Sequence, residues 1–122
     1  MSTDQKKLML PDPMHRFTEV EVLDEPGAGG AYHEYEIRSR SARFEPQRVT
    51  FQKGPVLESG TNGIFIEDLM SICIHRLQCF QNGDFACREN ALALTKLQEA
   101  MHWLNHRTRD RQARGAEGTA TK

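Results

Sequence analysis

The spacing of apolar side chains changes period once along this chain, and that single change does most to limit the folds open to it. From Arg16 to Gln52 apolar and polar residues alternate in short runs, and from Ile66 to Arg111 apolar residues recur every three or four positions. Alternation over Arg16–Leu23 sets Val20 and Val22 against Glu19 and Glu21, the pattern of a half-buried strand. Tyr32–Arg38 repeats it, with His33, Tyr35 and Ile37 opposed to Glu34 and Glu36, and Arg48–Gln52 turns Val49 and Phe51 inward. Asp24–Gly30 between the first two runs is a glycine-rich flexible loop. Gly54-Pro55 closes the third run; Pro55 has no N–H for a ladder, so any fourth strand through Val56-Leu57 lies at an edge. A small antiparallel sheet of this kind needs a covering layer, and the expected cover is helical.

Thr61-Asn62-Gly63 has the chemistry of a turn and helix start. Ile66, Leu69, Met70, Cys73, Ile74 and Leu77 then mark a first helix that ends near Phe80. Asn82-Gly83 tolerates the positive φ of a sharp reversal, and Asp84 is the expected cap of the next helix. That second helix runs from Phe85 to Arg111 or beyond, about 40 Å, with Leu94, Leu97, Met101 and Leu104 as its seam and Leu92 and Trp103 off it. The expected fold is therefore α+β: a mobile tail over 1–15, an antiparallel β-sheet region over 16–60, a helical hairpin over 61–115 and a C-terminal tail over 116–122. The second helix outreaches the first, and one small sheet cannot cover both, so the overhanging apolar stripe predicts a homo-oligomer.

A length of 122 residues suggests one domain with a modest core. The formal charge of −1 argues against a general attraction to nucleic acid or membrane, and no apolar run approaches the roughly 20 residues of a membrane span. Leu8-Met9-Leu10 is broken by Pro11 and Pro13, which does not make a signal-peptide core. Cys73, Cys79 and Cys87 lack metal-type spacing and read as reduced, mostly buried thiols, so the expected compartment is cytoplasm.

The candidate chemistry gathers at the two ends of the long helix. Arg107, Arg111 and Arg114 share a face, and Gly115 and Gly118 permit close approach of a ligand. Guanidinium groups pair bidentately with phosphate; the alternative is a solvated basic helix end that complements the helix dipole. Phe80 and Phe85 flank the reversal and can stack on a nucleobase, or simply pack across the corner. Asn90 offers a donor and an acceptor together, as an adenine edge requires, or is a plain surface amide. Arg88 with Glu89 reads first as surface or interface pairing. His102 and His106 are four apart, but no third ligand accompanies them, so no metal site is expected. Cys87 has no base or orienting group beside it. With no phosphate loop, nucleophile triad or carboxylate pair, nothing in the sequence points to catalysis or to a cofactor.

The run Phe80–Ala100, continued by Trp103-Leu104, Arg107-Thr108, Asp110-Arg111, Arg114-Gly115 and Glu117-Gly118-Thr119, resembles the helical-hairpin domain of phage anti-defence sponges. That hairpin is shared by the Thoeris anti-defence family and an anti-CBASS family that sequesters cyclic oligonucleotides. The preceding Val49–Pro55 and Asn62-Gly63 are similar to the Thoeris group, since the anti-CBASS proteins are essentially the hairpin alone. The resemblance implies a sponge rather than an enzyme. Such a protein acts in the host bacterial cytoplasm and holds cyclic ADP-ribose isomers made by TIR proteins. In some members the ligands extend to cyclic trinucleotides, and in the anti-CBASS group to other cyclic oligonucleotides, dinucleotides among them. It further implies a dimer or a hexamer with the pocket where protomers meet. Phe80 is then the base-stacking residue, Asn90 the polar contact and Arg107 the phosphate ligand, with Phe85 and Arg88 beside them. Arg111, Arg114 and Gly115 belong to a trinucleotide site. The rival reading is a small phage nucleic-acid-binding regulator that uses the arginine cluster.

Overall fold

The computed structural model of the chain describes residues 6–120. Residues 1–5 of the expected N-terminal tail and 121–122 of the expected C-terminal tail lie outside that range. The chain divides into two compact units, 1–64 and 65–122, where its length suggested one.

The first unit is a three-stranded antiparallel sheet in the order β1-β2-β3, with β1 at Thr18–Val22, β2 at Glu34–Ser39 and β3 at Gln47–Thr50. Register follows the alternation in the sequence: Val20 pairs with Ile37, and Val22 with Tyr35, which pairs in turn with Val49. Tyr35 also meets Phe51 edge-on at 5.8 Å between ring centroids. On the other face charges interlock. The Arg38 guanidinium donates to Glu19 at 2.9 Å, Glu21 at 2.7 Å and Glu36 at 3.2 Å, while Lys53 pairs with Glu34 at 3.0 Å. Opposite charges facing one another across strands favour this register over a one-residue slip, which would bring carboxylates and apolar residues onto the same face. Ahead of β1, the Leu8 N–H donates to the Val20 carbonyl at 2.9 Å, so part of the expected tail is paired to the sheet.

Val56-Leu57 does not extend the sheet. Pro55 stands as N-cap of a short helix, α1, at Val56–Ser59, since its fixed φ of −65° suits a helix start better than a ladder. The chain returns from α1 to the sheet through Asn62, whose side-chain amide accepts from the Lys53 N–H and donates to the Lys53 carbonyl, both at 2.8 Å. Ile64 then bridges Phe51. Only glycine fits just before that bridge: a Cβ on Gly63 would lie 2.5 Å from the Phe51 carbonyl carbon and 2.7 Å from the Thr50 oxygen.

The second unit is the hairpin of α2, Ile66–Gln81, and α3, Arg88–Ala113. Asp68 stabilises the start of α2 by accepting from the Phe65 N–H at 2.8 Å. Leu69, Met70, Ile74 and Leu77 of α2 and Leu94, Leu97, Met101 and Leu104 of α3 are half-buried, as their spacing predicts. Neither helix contains a fully buried residue. Two helices alone can shade a seam but cannot enclose it, and this explains one misplaced expectation. Cys73, Cys79 and Cys87 are exposed, not buried, because in this unit no third layer lies over them.

Candidate functional site at the ends of the hairpin

At the turn end, α3 begins three residues later than expected, and its cap is Cys87 rather than Asp84. The Cys87 backbone is extended and its Sγ accepts from the Asn90 N–H at 3.4 Å. Gln81, which the sequence reading passed over, sets this cap. Its amide accepts from the Cys87 N–H at 3.0 Å and donates to the Cys87 carbonyl at 3.1 Å. Phe80 is half-buried at the end of α2 with the Arg76 guanidinium 5.1 Å from its ring centroid, a cation held against a π face. Phe85 projects from the turn, 76% exposed. Arg88 and Asn90 occupy the first turn of α3, Asn90 half-buried and Arg88 exposed. The turn therefore gathers Phe80, Phe85, Arg88 and Asn90 in one short stretch of surface.

The opposite end of α3 carries the arginines. Each meets a carboxylate: Arg107 with Glu67 at 3.8 Å, Arg111 with Glu117 at 3.2 Å and Arg114 with Asp110 at 3.1 Å. Arg111 is the most enclosed, its side chain 20% exposed. Its Nη2 donates to the Ala116 carbonyl at 2.9 Å and the Thr119 carbonyl at 3.0 Å, tying the chain after the helix back to its last turn. Arg107 is open, 59% exposed, and a surface pair this long contributes within about 1 kcal/mol, so a phosphate can replace Glu67 at small cost. Gly115 takes a φ of +72° with no atom within 4 Å of where a Cβ would stand, so its backbone is accessible.

These two groups are not one site within a chain. Asn90 and Arg107 are seventeen residues apart on one continuous helix, about 25 Å at 1.5 Å per residue. Between them, near Arg107, a groove of about 610 Å³ is lined by Glu67 and Ser71 of α2 and by Gln98, Met101, His102 and Asn105 of α3, a feature the apolar spacing alone does not signal. His102 and His106 instead flank the exposed Trp103 ring edge-on, at 5.5 and 5.8 Å. No cluster of three metal-ligating side chains occurs among the described residues. No helix there is long and apolar enough to cross a membrane.

Residues 45–109, the end of the sheet and nearly all of the hairpin, match the family described as Acb2/Tad1, hairpin domain. The chain belongs to this family. Among curated proteins, "Thoeris anti-defense 1" of Bacillus phage SBSphiJ7 is 49% identical over 96 residues, which is 79% of this chain and 66% of that protein. This Acb2/Tad1 hairpin protein thus spans just under two thirds of its relative's length. The family match runs from the third strand to Arg109, so both the turn-end cluster and Arg107 lie inside it, while Arg111, Arg114 and Gly115 lie beyond.

Proposed function

We propose that this protein is a phage anti-defence sponge, one that binds a cyclic nucleotide immune signal, in the first place a cyclic ADP-ribose isomer, and holds it chemically unaltered. Its site of action on this reading is the host cytoplasm. The observation that carries the reading is family membership through the hairpin, in a chain whose stacking and phosphate-binding groups fall at opposite ends of one helix. A small cyclic nucleotide cannot reach across about 25 Å, so the pocket is composite. A second copy running antiparallel brings its own Arg107 to the first copy's Phe80 and Asn90, and the same contact covers helix faces that are open in one chain. Cyclic trinucleotides are a further ligand class, for which Arg111, Arg114 and Gly115 are the candidates.

Magnitudes favour the shared pocket. One stacked base and one arginine–phosphate pair give about 3–6 kcal/mol, against the roughly 12 kcal/mol of nanomolar binding. A sponge neutralises only as many signals as it has sites, so further contacts, in a pocket that two chains close against water, must supply the rest. A nucleic-acid-binding role is the weaker reading, because the chain's formal charge is −1 and Glu67, Asp110 and Glu117 lie among the arginines, which leaves little net positive charge to attract a polyanion. Calorimetry with a cyclic ADP-ribose isomer tests the proposal. Phe80→Ala and Arg107→Ala should each abolish binding while the helical circular dichroism survives, and ligand recovered after heat denaturation should be intact. Unchanged affinity in both variants overturns the pocket assignment, and a wild type that binds no cyclic nucleotide or returns it cleaved overturns the sponge reading.

A further inference from the structure

Gln81 closes the loop between the helices by an arrangement that few side chains can reproduce. It needs one acceptor and one donor, held apart at amide separation, to take the N–H and the carbonyl of the same residue, Cys87. Glutamate has no donor while ionised, asparagine is one methylene too short from this position, and leucine has neither group. The Asn82 N–H still completes α2 on the Gln78 carbonyl at 3.0 Å; beyond it the turn's backbone has Gly83 N–H to Phe80 at 3.2 Å and Ala86 N–H to Gly83 at 3.4 Å, neither of which reaches α3. The cap on α3 is a sulfur, a weak acceptor, with its Asn90 bond at 3.4 Å. The firm connection across residues 82–86 is therefore the Gln81 amide. It sits beside Phe80 in the chain and grips the residue three before Asn90.

We propose that Gln81 is a positioning residue: its two bonds to Cys87 fix the base-stacking Phe80 and the polar contact Asn90 in register with each other, so that ligand affinity depends on a side chain that need not touch ligand. This deepens the sponge reading and rests on it. A bound ligand must meet both groups at once, and a turn free to open would have to be ordered at the moment of binding, at a cost in affinity.

The test measures affinity for the cyclic ADP-ribose isomer in the full chain, alongside exchange of the Cys87 amide proton in the ligand-free protein. Gln81→Leu and Gln81→Asn should each weaken binding about ten-fold and speed Cys87 exchange, with helical content unchanged. Gln81→Glu supplies a signature that general loosening of the fold cannot. At pH 7.5 its carboxylate accepts from the Cys87 N–H but repels the carbonyl; once protonated near pH 4.5 it donates again, so its affinity relative to the wild type at the same pH should recover. Leucine and asparagine variants that bind within two-fold of the wild type overturn the positioning role and leave the sponge reading standing. A Gln81→Glu deficit that does not shrink at low pH overturns it as well. A wild type that binds no cyclic nucleotide sinks the sponge reading and the positioning role together, and Cys87 exchange then decides separately whether the clasp exists.

Discussion

Replacing Gly63 by alanine should cost the sheet unit far more than a single methyl suggests. The added Cβ would lie 2.5 Å from the Phe51 carbonyl carbon, 2.6 Å from its oxygen and 2.7 Å from the Thr50 oxygen, all of them backbone atoms that cannot swing aside. Relief requires the strands to part, which breaks Ile64 N–H to Thr50 at 2.9 Å and Gln52 N–H to Ile64 at 2.8 Å. Two backbone hydrogen bonds at about 1 kcal/mol each, with some lost packing around Phe51, give a loss of about 2–4 kcal/mol. Gly29→Ala is the control. Gly29 has a φ of +72° and no atom within 4 Å of its Cβ position, so only left-handed strain applies, about 1 kcal/mol. Urea denaturation gives both losses, and amide exchange at Gln52 and Ile64 locates the damage. A Gly63→Ala loss no larger than that of Gly29→Ala would refute the close-contact argument.

Two further predictions concern charge. Hydrogen bonds from Arg38 and then Lys7 hold the Glu19 carboxyl below its ordinary value, and hydrogen bonds to Glu21 and then Glu19 raise Arg38. Burial pushes Asp24 up, but the backbone N–H groups of His33 and Glu34 outweigh it and hold the carboxyl low. Carboxyls depressed on folding stabilise the protein above their ordinary values, near 4.5 and 3.8, and that contribution is lost as pH falls through the lowered ones. Thermal melts should show stability declining below about pH 4.5, with a shallower decline in Glu19→Gln. At the far end of α3, Arg111→Ala should remove the guanidinium's bonds to the Ala116 and Thr119 carbonyls and make 114–120 more sensitive to protease, while α3 remains helical.

The sheet was legible because its charged and apolar residues alternate strictly: the same Val20, Ile37 and Tyr35 that mark the pattern are the ones that pair. The helices were legible from three- and four-residue spacing. Their junction was not. Asp84 has the usual chemistry of a cap and Cys87 does not, yet Cys87 takes the role because the Gln81 side chain holds its backbone extended, a contact that no local propensity encodes. Val56-Leu57 reads as a strand by composition, and only the fixed φ of Pro55 turns it toward a helix. For the site, the residue types at both ends of α3 could be picked from the sequence. Their separation follows from the helix that the apolar spacing already predicts through Arg107, whereas the carboxylates beside Arg107 and Arg111 required the fold.

A helix this long magnifies whatever happens at its root. A tilt of about 5° at the turn would carry the Arg107 end, about 25 Å away, through roughly 2 Å, enough to lose a hydrogen bond outright. Aim, more than reach, is the quantity the 82–87 corner controls. Substitutions there should be felt at the distant guanidinium before they are felt in the melting of the protein.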